Sequence, residues 1–216
     1  PKIDYLNILF KQSVPIMFTM LMIMFGVFNI FYFVGQFGEL ATAGYGTAVR
    51  IEQVLLLPVI GLNTAVLSIA GQNFGAKKSG RILETFNKAI LTGLIILSLV
   101  AIFLFLTAEI SMKLFTDDRE VIYYGSIYLK IWAFGFPAFP LFFIPNAAFQ
   151  GLKKATIVMN MAILRFVLIP ILIVSSINYF IKEDYIYMFI GLVIMHWLVG
   201  LFYYQYSINK IKKLII

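Results

Sequence analysis

Cysteine is absent from this 216-residue chain, and charge is scarce: 12% of the residues are charged, whereas 62% are hydrophobic. The lack of cysteine excludes disulfides and thiolate metal sites, and it leaves the redox compartment open. A soluble domain of this length has too much surface to cover with so few charges, so the composition excludes that class. The mean hydropathy of +0.94 instead indicates an integral membrane protein.

Acidic residues number only ten, and on this interpretation all of them lie in turns or near the ends of apolar runs. The sequence also shows no nucleophile–base pair, no cluster of metal ligands and no phosphate-binding loop at the start of a helix. These absences argue against an enzyme, a bound metal and a cofactor. The net charge of +7 is weak evidence for a nucleic-acid partner, because the cations flank the apolar runs.

Apolar runs long enough to cross about 30 Å of hydrocarbon recur along the chain, and the backbone in lipid must satisfy its own hydrogen bonds, which favours helices. We therefore predict an all-α integral membrane protein with six transmembrane helices. The predicted spans are 14–36, 53–71, 89–109, 122–149, 155–178 and 185–206. Residues 1–12 are assigned to an interfacial segment, 13–209 to the membrane bundle and 210–216 to a basic tail.

The cations beside these spans are divided unevenly between the two sides of the membrane. With six spans, both chain ends share one side, which carries eleven cations against four on the other. Cytoplasmic loops carry the excess of Lys and Arg, so this side and both ends are predicted to be cytoplasmic. The eleven are Lys2, Lys11, Lys77, Lys78, Arg81, Lys88, Lys153, Lys154, Lys210, Lys212 and Lys213.

Proline is expected to break two of the spans. Pro58 lies in the second span, and Pro137, Pro140 and Pro145 fall within nine residues of the fourth. Proline lacks an N–H and crowds the carbonyl four residues earlier, and a carbonyl freed in lipid must find a partner in protein or water. Broken helices beside cavities recur in transporters, although a kinked packing helix is the alternative.

Polar and soft side chains on helix faces are the candidates for a substrate cavity. Asparagines within spans bond across helices or face hydrated cavities, and methionines beside aromatic rings suit varied apolar guests. Plain packing seams are the alternative on each face. The candidates are Met22, Asn29, Tyr32, Asn63, Phe139, Phe143 and Asn146.

Arg165 stands deep in the fifth span, about 15 Å from its predicted cytoplasmic end at helical rise. An intramembrane arginine is a functional-site hypothesis that needs a partner, and no acid is obviously placed for it. Glu52 is expected just inside the outer interface, paired with Arg50. His196 is interpreted as a neutral packing residue, with a proton relay as the alternative.

Three stretches resemble one known family. "AGYGTAVRIEQVLLLPVIGLNTAVLSIAGQNFGAKKSGR" at 43–81 is similar to the segment around the eighth helix of multidrug and toxic compound extrusion (MATE) transporters. "LFTDDREVIYYGSIYLKI" and "AFQGLKKATIVMNMAILR" resemble the ninth-to-tenth and tenth-to-eleventh junctions. The order and spacing of the three together are specific, and the resemblance covers nearly the whole chain.

The resemblance implies the second six-helix half of a twelve-helix carrier, with the N-terminal half as its partner and a plasma-membrane location. The chain begins at Pro1 and is expected to be part of something longer. The family exports amphiphilic, often cationic, compounds in exchange for sodium or protons by alternating access. Gly71 and Gly75 are expected to shape a tight cytoplasmic turn as hinge residues.

Some branches of the family carry an acid in the first and fourth helices of this half, at places that fall near Ile23 and Phe139 here. Neither residue ionises, so the coupling ion, sodium or proton, is expected to bind mainly in the half not present. Two alternatives stay open: a flippase for lipid-linked oligosaccharides from the same wider superfamily, and a six-helix channel or scaffold that works as a homodimer. The family needs lipid and small amphiphilic substrates as partners, and no nucleic acid.

Overall fold

Helices make up nearly all of the computed structural model, which describes residues 3–173, 176 and 184–215. Within these ranges a 3₁₀ turn occupies Phe136–Ala138 and a π-helical segment occupies Leu164–Leu168. The helices are α1 Ile3–Gly35, α2 Glu39–Leu55, α3 Leu57–Gly75, α4 Ser79–Lys113, α5 Arg119–Ala133, α6 Pro140–Gly151, α7 Ala155–Ile163 and α8 Tyr185–Ile215.

Four of the described helices are long and apolar enough to cross a membrane: Leu6–Gly35, Ser79–Lys113, Ala155–Ile173 and Tyr185–Leu214. The helix pairs α2–α3 and α5–α6 bend by 46° and 47°, and counting each as one span gives six. The predicted all-α membrane bundle is confirmed. The second span was predicted to begin too late, because α2 is rich in small and charged residues that lower its hydropathy. The predicted end of the fifth span at residue 178 lies outside the described residues.

The two bends arise where prolines remove helix hydrogen bonds. Pro58 stands in the first turn of α3, directly after the break at Leu56. Pro137 lies in the 3₁₀ turn and Pro140 opens α6, so each proline sits where its missing N–H is least costly. Pro145 was expected to break the chain as well, but it lies within α6 without interrupting the helix.

The break between α5 and α6 leaves one carbonyl that another helix satisfies. In a continuous helix the Phe134 carbonyl would accept from the amide of Ala138, but that amide bonds to Gly135 in the 3₁₀ turn. The indole Nε1 of Trp197 in α8 donates to the Phe134 carbonyl instead, at 2.8 Å. The freed group thus finds a protein partner, as a low-dielectric environment requires.

Two buried clusters form the core and divide at the level of the bends. One joins α2, α5 and the start of α8 through residues such as Tyr45, Leu129 and Phe189. The other joins α3, α6 and the end of α8. Gly44 lets α2 approach α5 closely, since a Cβ there would lie 2.7 Å from the carbonyl oxygen of Val121. The two bent pairs therefore pack against each other and surround the middle of the bundle.

The turns after α3 and α6 share one hydrogen-bond pattern. The amide of Lys78 bonds to the Asn73 carbonyl and that of Lys77 to Phe74, and the pattern repeats at Lys154 and Lys153. This arrangement is a Schellman motif, with Lys77 and Lys153 in the left-handed conformation at φ 56° and 57°. The expected hinge role of Gly71 and Gly75 is wrong in this respect: both lie within α3, and the lysine takes the unusual conformation.

Candidate functional site: a charged cavity within the bundle

A cavity of about 200 Å³ lies inside the bundle between α1, α2, α5, α8 and the π-helical segment. Most of its wall is apolar, from side chains such as Ile30, Ile169 and Leu192. Three groups that can carry charge also line it, from three different helices: Glu52, Arg165 and His196. A carboxylate and a guanidinium thus line one cavity of an apolar bundle.

Glu52 sits in the last turn of α2 and points into this cavity rather than toward the outer interface. Its Oε2 accepts a hydrogen bond from the phenolic O–H of Tyr128 in α5. The expected pair with Arg50 is wrong, because residues two apart project about 200° apart around a helix, and Arg50 is exposed on the other face. Among the described residues, the ion pairs join Lys88 to Glu84 and Lys113 to Glu109 only.

Aromatic rings surround the carboxylate. Tyr128 stacks on Trp132 at 5.9 Å between ring centroids and meets Phe189 edge-on at 4.8 Å. Tyr45 contacts Tyr128 edge-on at 5.0 Å. These rings pack around the half-buried Glu52, and among the described residues the Tyr128 hydroxyl donates to it. A carboxylate in such a place is sensitive to any charge or proton that enters the cavity.

Arg165 is carried by the π-helical segment, and the sequence explains why the helix widens there. Pro170 has no N–H to donate to the carbonyl of Phe166, so a regular turn cannot close at this point. On the other side, α1 presents Gly26 against the segment. A Cβ on Gly26 would lie 2.7 Å from the Phe166 carbonyl oxygen and 2.8 Å from its Cβ. The glycine therefore sets the close packing that holds Arg165 in position.

The Arg165 guanidinium lies against aromatic faces instead of an acid. Its Cζ is 3.7 Å from the ring centroid of Phe142, 4.7 Å from Phe166 and 5.7 Å from Phe139. Its Nη2 lies 3.3 Å from Nδ1 of His196. The expectation that no acid is placed near Arg165 needs correction, since Glu52 lines the same cavity, although the two side chains form no ion pair.

The candidates for a substrate cavity do not assemble into one site. Phe139 lines the inner cavity, and its ring is 6.1 Å from that of Phe143. Asn146 accepts a hydrogen bond from the Tyr203 hydroxyl at 2.8 Å, and Asn29 donates to the Phe25 carbonyl in its own helix. Three more lie on other surfaces of the bundle: Tyr32 is exposed, and Met22 and Asn63 are half-buried.

The residues that the sequence interpretation missed are Glu52, Tyr128, Trp132 and Tyr45. A signal for Glu52 was present, because Tyr45, Ala48 and Glu52 follow each other at spacings of three and four on one face of α2. Starting the second span at Glu39 would have placed this face inside the membrane. Tyr128 gave no local signal, since its partner lies in another helix 76 residues away.

Chemically, this cavity can hold a proton on its carboxylate or a small polar ligand between its two charges. The described residues contain no group of three or more His, Cys, Asp and Glu side chains that could hold a metal ion.

Comparison with known proteins decides the family. The MatE family model matches residues 15–174. The chain belongs to the MatE family. Its MATE relatives include the probable multidrug resistance protein YpnP of Bacillus subtilis (strain 168), 24% identical over 163 residues, which are 74% of this chain and 37% of YpnP. The multidrug export protein MepA of Staphylococcus aureus (strain MSSA476) is 25% identical over 177 residues, 82% of this chain and 39% of MepA.

Solved MATE structures share the fold. An outward-facing multidrug resistance MATE family transporter of the MOP superfamily matches with a TM-score of 0.92 and 20% identity, over 99% of this chain and 48% of that one. A MOP superfamily transporter from Pyrococcus furiosus, whose binding pocket is described as having reverse polarity, matches with a TM-score of 0.94 and 19% identity over the same shares. The chain spans less than half the length of these relatives. It is a multi-pass membrane protein with the fold of half a MATE transporter.

Proposed function

We propose that this chain is the C-terminal six-helix half of a secondary active transporter that exports amphiphilic, often cationic, compounds by alternating access. The N-terminal half of the same carrier supplies the other wall of the central cavity. The family match and the half-length coverage of multidrug exporters support this proposal. The observation that carries it is the Glu52 carboxylate in a cavity of the bundle, because ionisable groups within membrane spans mark ion pathways in carriers.

The coupling ion that we favour is the proton, bound at Glu52. Coupling was expected mainly in the other half because Ile23 and Phe139 do not ionise, but Glu52 offers a carboxylate at a different position of this half. Sodium prefers several oxygen ligands, whereas this carboxylate has one hydroxyl donor and aromatic neighbours. A proton needs a single basic group, so this environment suits it better.

The candidate contacts to substrate are those proposed from the sequence, although they do not form one site within this half: Phe143 and Asn146 in α6 and Met22, Asn29 and Tyr32 in α1. Tyr32 is 62% exposed in this half, which leaves its ring free to face substrate or the partner half. Asn63 in α3 is half-buried and fits the same role. Phe139 belongs to the inner cavity, so its proposed contribution is to support Phe143 rather than to touch the substrate.

The orientation follows from the cations, with both ends of the chain in the cytoplasm and the protein in the plasma membrane. Cysteine scanning of the full-length protein tests it, because the chain has no native cysteine. Lys78→Cys and Lys153→Cys should react only with reagent on the cytoplasmic side, and Asp117→Cys only from outside. Labelling of Lys78→Cys from outside in intact cells would overturn the orientation.

The decisive experiment reconstitutes the full-length protein in vesicles and drives export of a cationic dye with an imposed proton or sodium gradient. We expect the proton gradient to drive export and Glu52→Gln to abolish that response while dye binding remains. Glu39→Gln, at the exposed start of α2, is the matched control and should keep the response. Export driven only by sodium, or unchanged in Glu52→Gln, contradicts the coupling proposal.

A flippase for lipid-linked oligosaccharides remains the alternative. It needs cations that face a large groove, to hold a phosphate or pyrophosphate. Arg165 instead faces a cavity of about 200 Å³ within this bundle, with its guanidinium against the rings of Phe142 and Phe166. We therefore favour the drug exporter, and flipping of a labelled lipid-linked sugar without dye export would reverse this choice.

A further inference from the structure

The Arg165 end of the cavity has more hydrogen-bond donors than acceptors. A guanidinium carries five N–H donors and no acceptor. Among the described residues its hydrogen-bond partner is Nδ1 of His196. The faces of Phe142, Phe166 and Phe139 attract the cation but accept no regular hydrogen bond. No carboxylate of the described residues lies within 4.0 Å of it. The remaining N–H groups of Arg165 face the cavity and can donate to a ligand or to water there.

His196 adds a second unpaired donor beside the first. Because arginine can only donate, Nδ1 of His196 must accept, and the neutral ring then carries its proton on Nε2. That Nε2 is buried without a hydrogen-bond partner, in a residue that is 7% exposed and lines the cavity. Arg165 and His196 thus face one cavity from two helices, with a positive charge and with an Nε2–H of His196 that has no acceptor among the described residues.

Trp132 does not belong to this set. Its Nε1 is also buried without a regular hydrogen bond, but it lies beside the Glu52 carboxylate, which can accept from it after a small rotation. The two ends of the cavity therefore differ: acceptors are available around Glu52, whereas donors are in excess around Arg165.

We propose that Arg165 and His196 form a binding site for a small monovalent anion, a halide or a short carboxylate, inside this bundle. The anion accepts from the Arg165 guanidinium and from Nε2–H of His196, and the cavity of about 200 Å³ holds it with several waters. The proposal rests on this geometry alone and does not depend on drug export.

Glu52 makes the binding pH-dependent. An ionised carboxylate in the same cavity repels the anion, so the anion binds more tightly when Glu52 is protonated, and by reciprocity it favours that proton. The other titratable groups that face the cavity are Tyr45 in α2, Tyr128 in α5, and Arg165 and His196 themselves, while α1 contributes only Gly26, Val27 and Ile30. Anion affinity should therefore rise as pH falls.

The test is thermal unfolding of the purified full-length protein in detergent at constant ionic strength, with chloride replacing gluconate. A second series, with formate in place of chloride, shows whether the site binds a short carboxylate or a halide more tightly. A ligand that binds only the folded state raises the Tm in a saturable way that yields a Kd. We expect saturation with chloride or formate, and a Kd about tenfold lower in Glu52→Gln, because a repelling charge is gone.

Two variants and one control separate the site from general salt effects. Arg165→Gln should abolish the saturable rise, and His196→Phe, which keeps the ring but loses the N–H, should raise the Kd about tenfold. Arg50→Gln, an exposed cation on α2, should behave like the parent protein. If Arg165→Gln does not fold, His196→Phe and Glu52→Gln still decide the question. The proposal fails if neither anion gives a saturable rise, which would mean that water or Glu52 serves the donors, or if the variants respond like the parent.

Discussion

The two charged ends of the cavity are supported in different ways. The Glu52 carboxylate belongs to a regular helix, receives a hydroxyl donor from Tyr128 and lies among packed rings. The Arg165 guanidinium belongs to a π-helical segment and is held by ring faces and one imidazole nitrogen. The carboxylate accepts a hydrogen bond from the protein, whereas the guanidinium has N–H groups without an acceptor among the described residues. The difference fits a carboxylate that exchanges a proton at the first end and the anion site that we propose at the second.

We expect the largest effect on stability and on the pH dependence when the Tyr128 hydroxyl, which donates to Glu52, is removed. Tyr128→Phe keeps the ring but removes the donor to Glu52, and hydrogen bonds to charged groups contribute about 1.5–3 kcal/mol. We expect a lower Tm for the full-length protein and a dye-export pH profile moved toward higher pH, because the ionised carboxylate loses its donor. Tyr123→Phe, at an exposed position of the same helix, should change neither measurement. An unchanged Tyr128→Phe profile would contradict the role of this hydrogen bond.

Filling the space between Gly26 of α1 and the π-helical segment should disturb the position of Arg165. In Gly26→Ala the new methyl group meets the Phe166 carbonyl, and such overpacking costs about 1–3 kcal/mol. Gly61→Ala is the matched control, because nothing lies within 4 Å of a Cβ at that position. We expect Gly26→Ala to lower the Tm and to weaken anion binding, and Gly61→Ala to do neither. Equal effects of the two variants would show that the contact with Phe166 is unimportant.

The ring that stacks on Arg165 provides a finer comparison. A cation–π contact contributes about 0.5–2 kcal/mol, depending on desolvation. Phe142→Leu also changes the packing, so a double-mutant cycle with Arg165→Gln is needed to isolate the coupling between the two residues. Thermal unfolding of the single and double variants should give a positive coupling. Phe149→Leu, in a ring just as buried but without a contact to Arg165, should show none.

The smallest effect on stability is expected outside the cavity, at the proposed substrate surface. Phe143→Ala removes a ring that attracts organic cations by about 0.5–2 kcal/mol, so binding of cationic drugs should weaken by up to roughly thirtyfold. Neutral substrates should lose less, because they lose only packing. Equal loss for both classes, accompanied by a lower Tm, would assign Phe143 to the core. Parallel binding measurements with one cationic and one neutral compound decide between the two.

Much of the fold could be predicted from the sequence, because long apolar runs and prolines are local signals. The breaks at Pro58, Pro137 and Pro140 are of this kind. The start of the second span was missed, since the buried face of α2 consists mainly of small residues and a tyrosine, with Ile51 as its large aliphatic side chain. Hydropathy measures the whole circumference of a helix, whereas burial in a bundle concerns one face.

The site was harder to predict, for a physical reason. Arg165 stood out because a charge inside an apolar run is unusual, but its surroundings come from α6 and α8, and Glu52 comes from α2. Contacts between separate helices depend on how the helices rotate against each other, which local spacing does not encode. The predicted hinge at Gly71 and Gly75 failed in a related way, because glycine permits a left-handed residue but does not require one.

The two Schellman turns connect the stability of the folded protein with its assembly. A left-handed lysine is less favourable than glycine by about 1 kcal/mol, so Lys77 and Lys153 each weaken the finished structure slightly. Loop cations act during synthesis, because they help to set the orientation in which the helices cross the bilayer. We therefore expect that replacing both lysines with glycine raises the Tm of the protein. The fraction of molecules inserted in the inverted orientation should increase. On the proposed orientation, these two lysines lower the equilibrium stability slightly but favour the correct insertion of the chain.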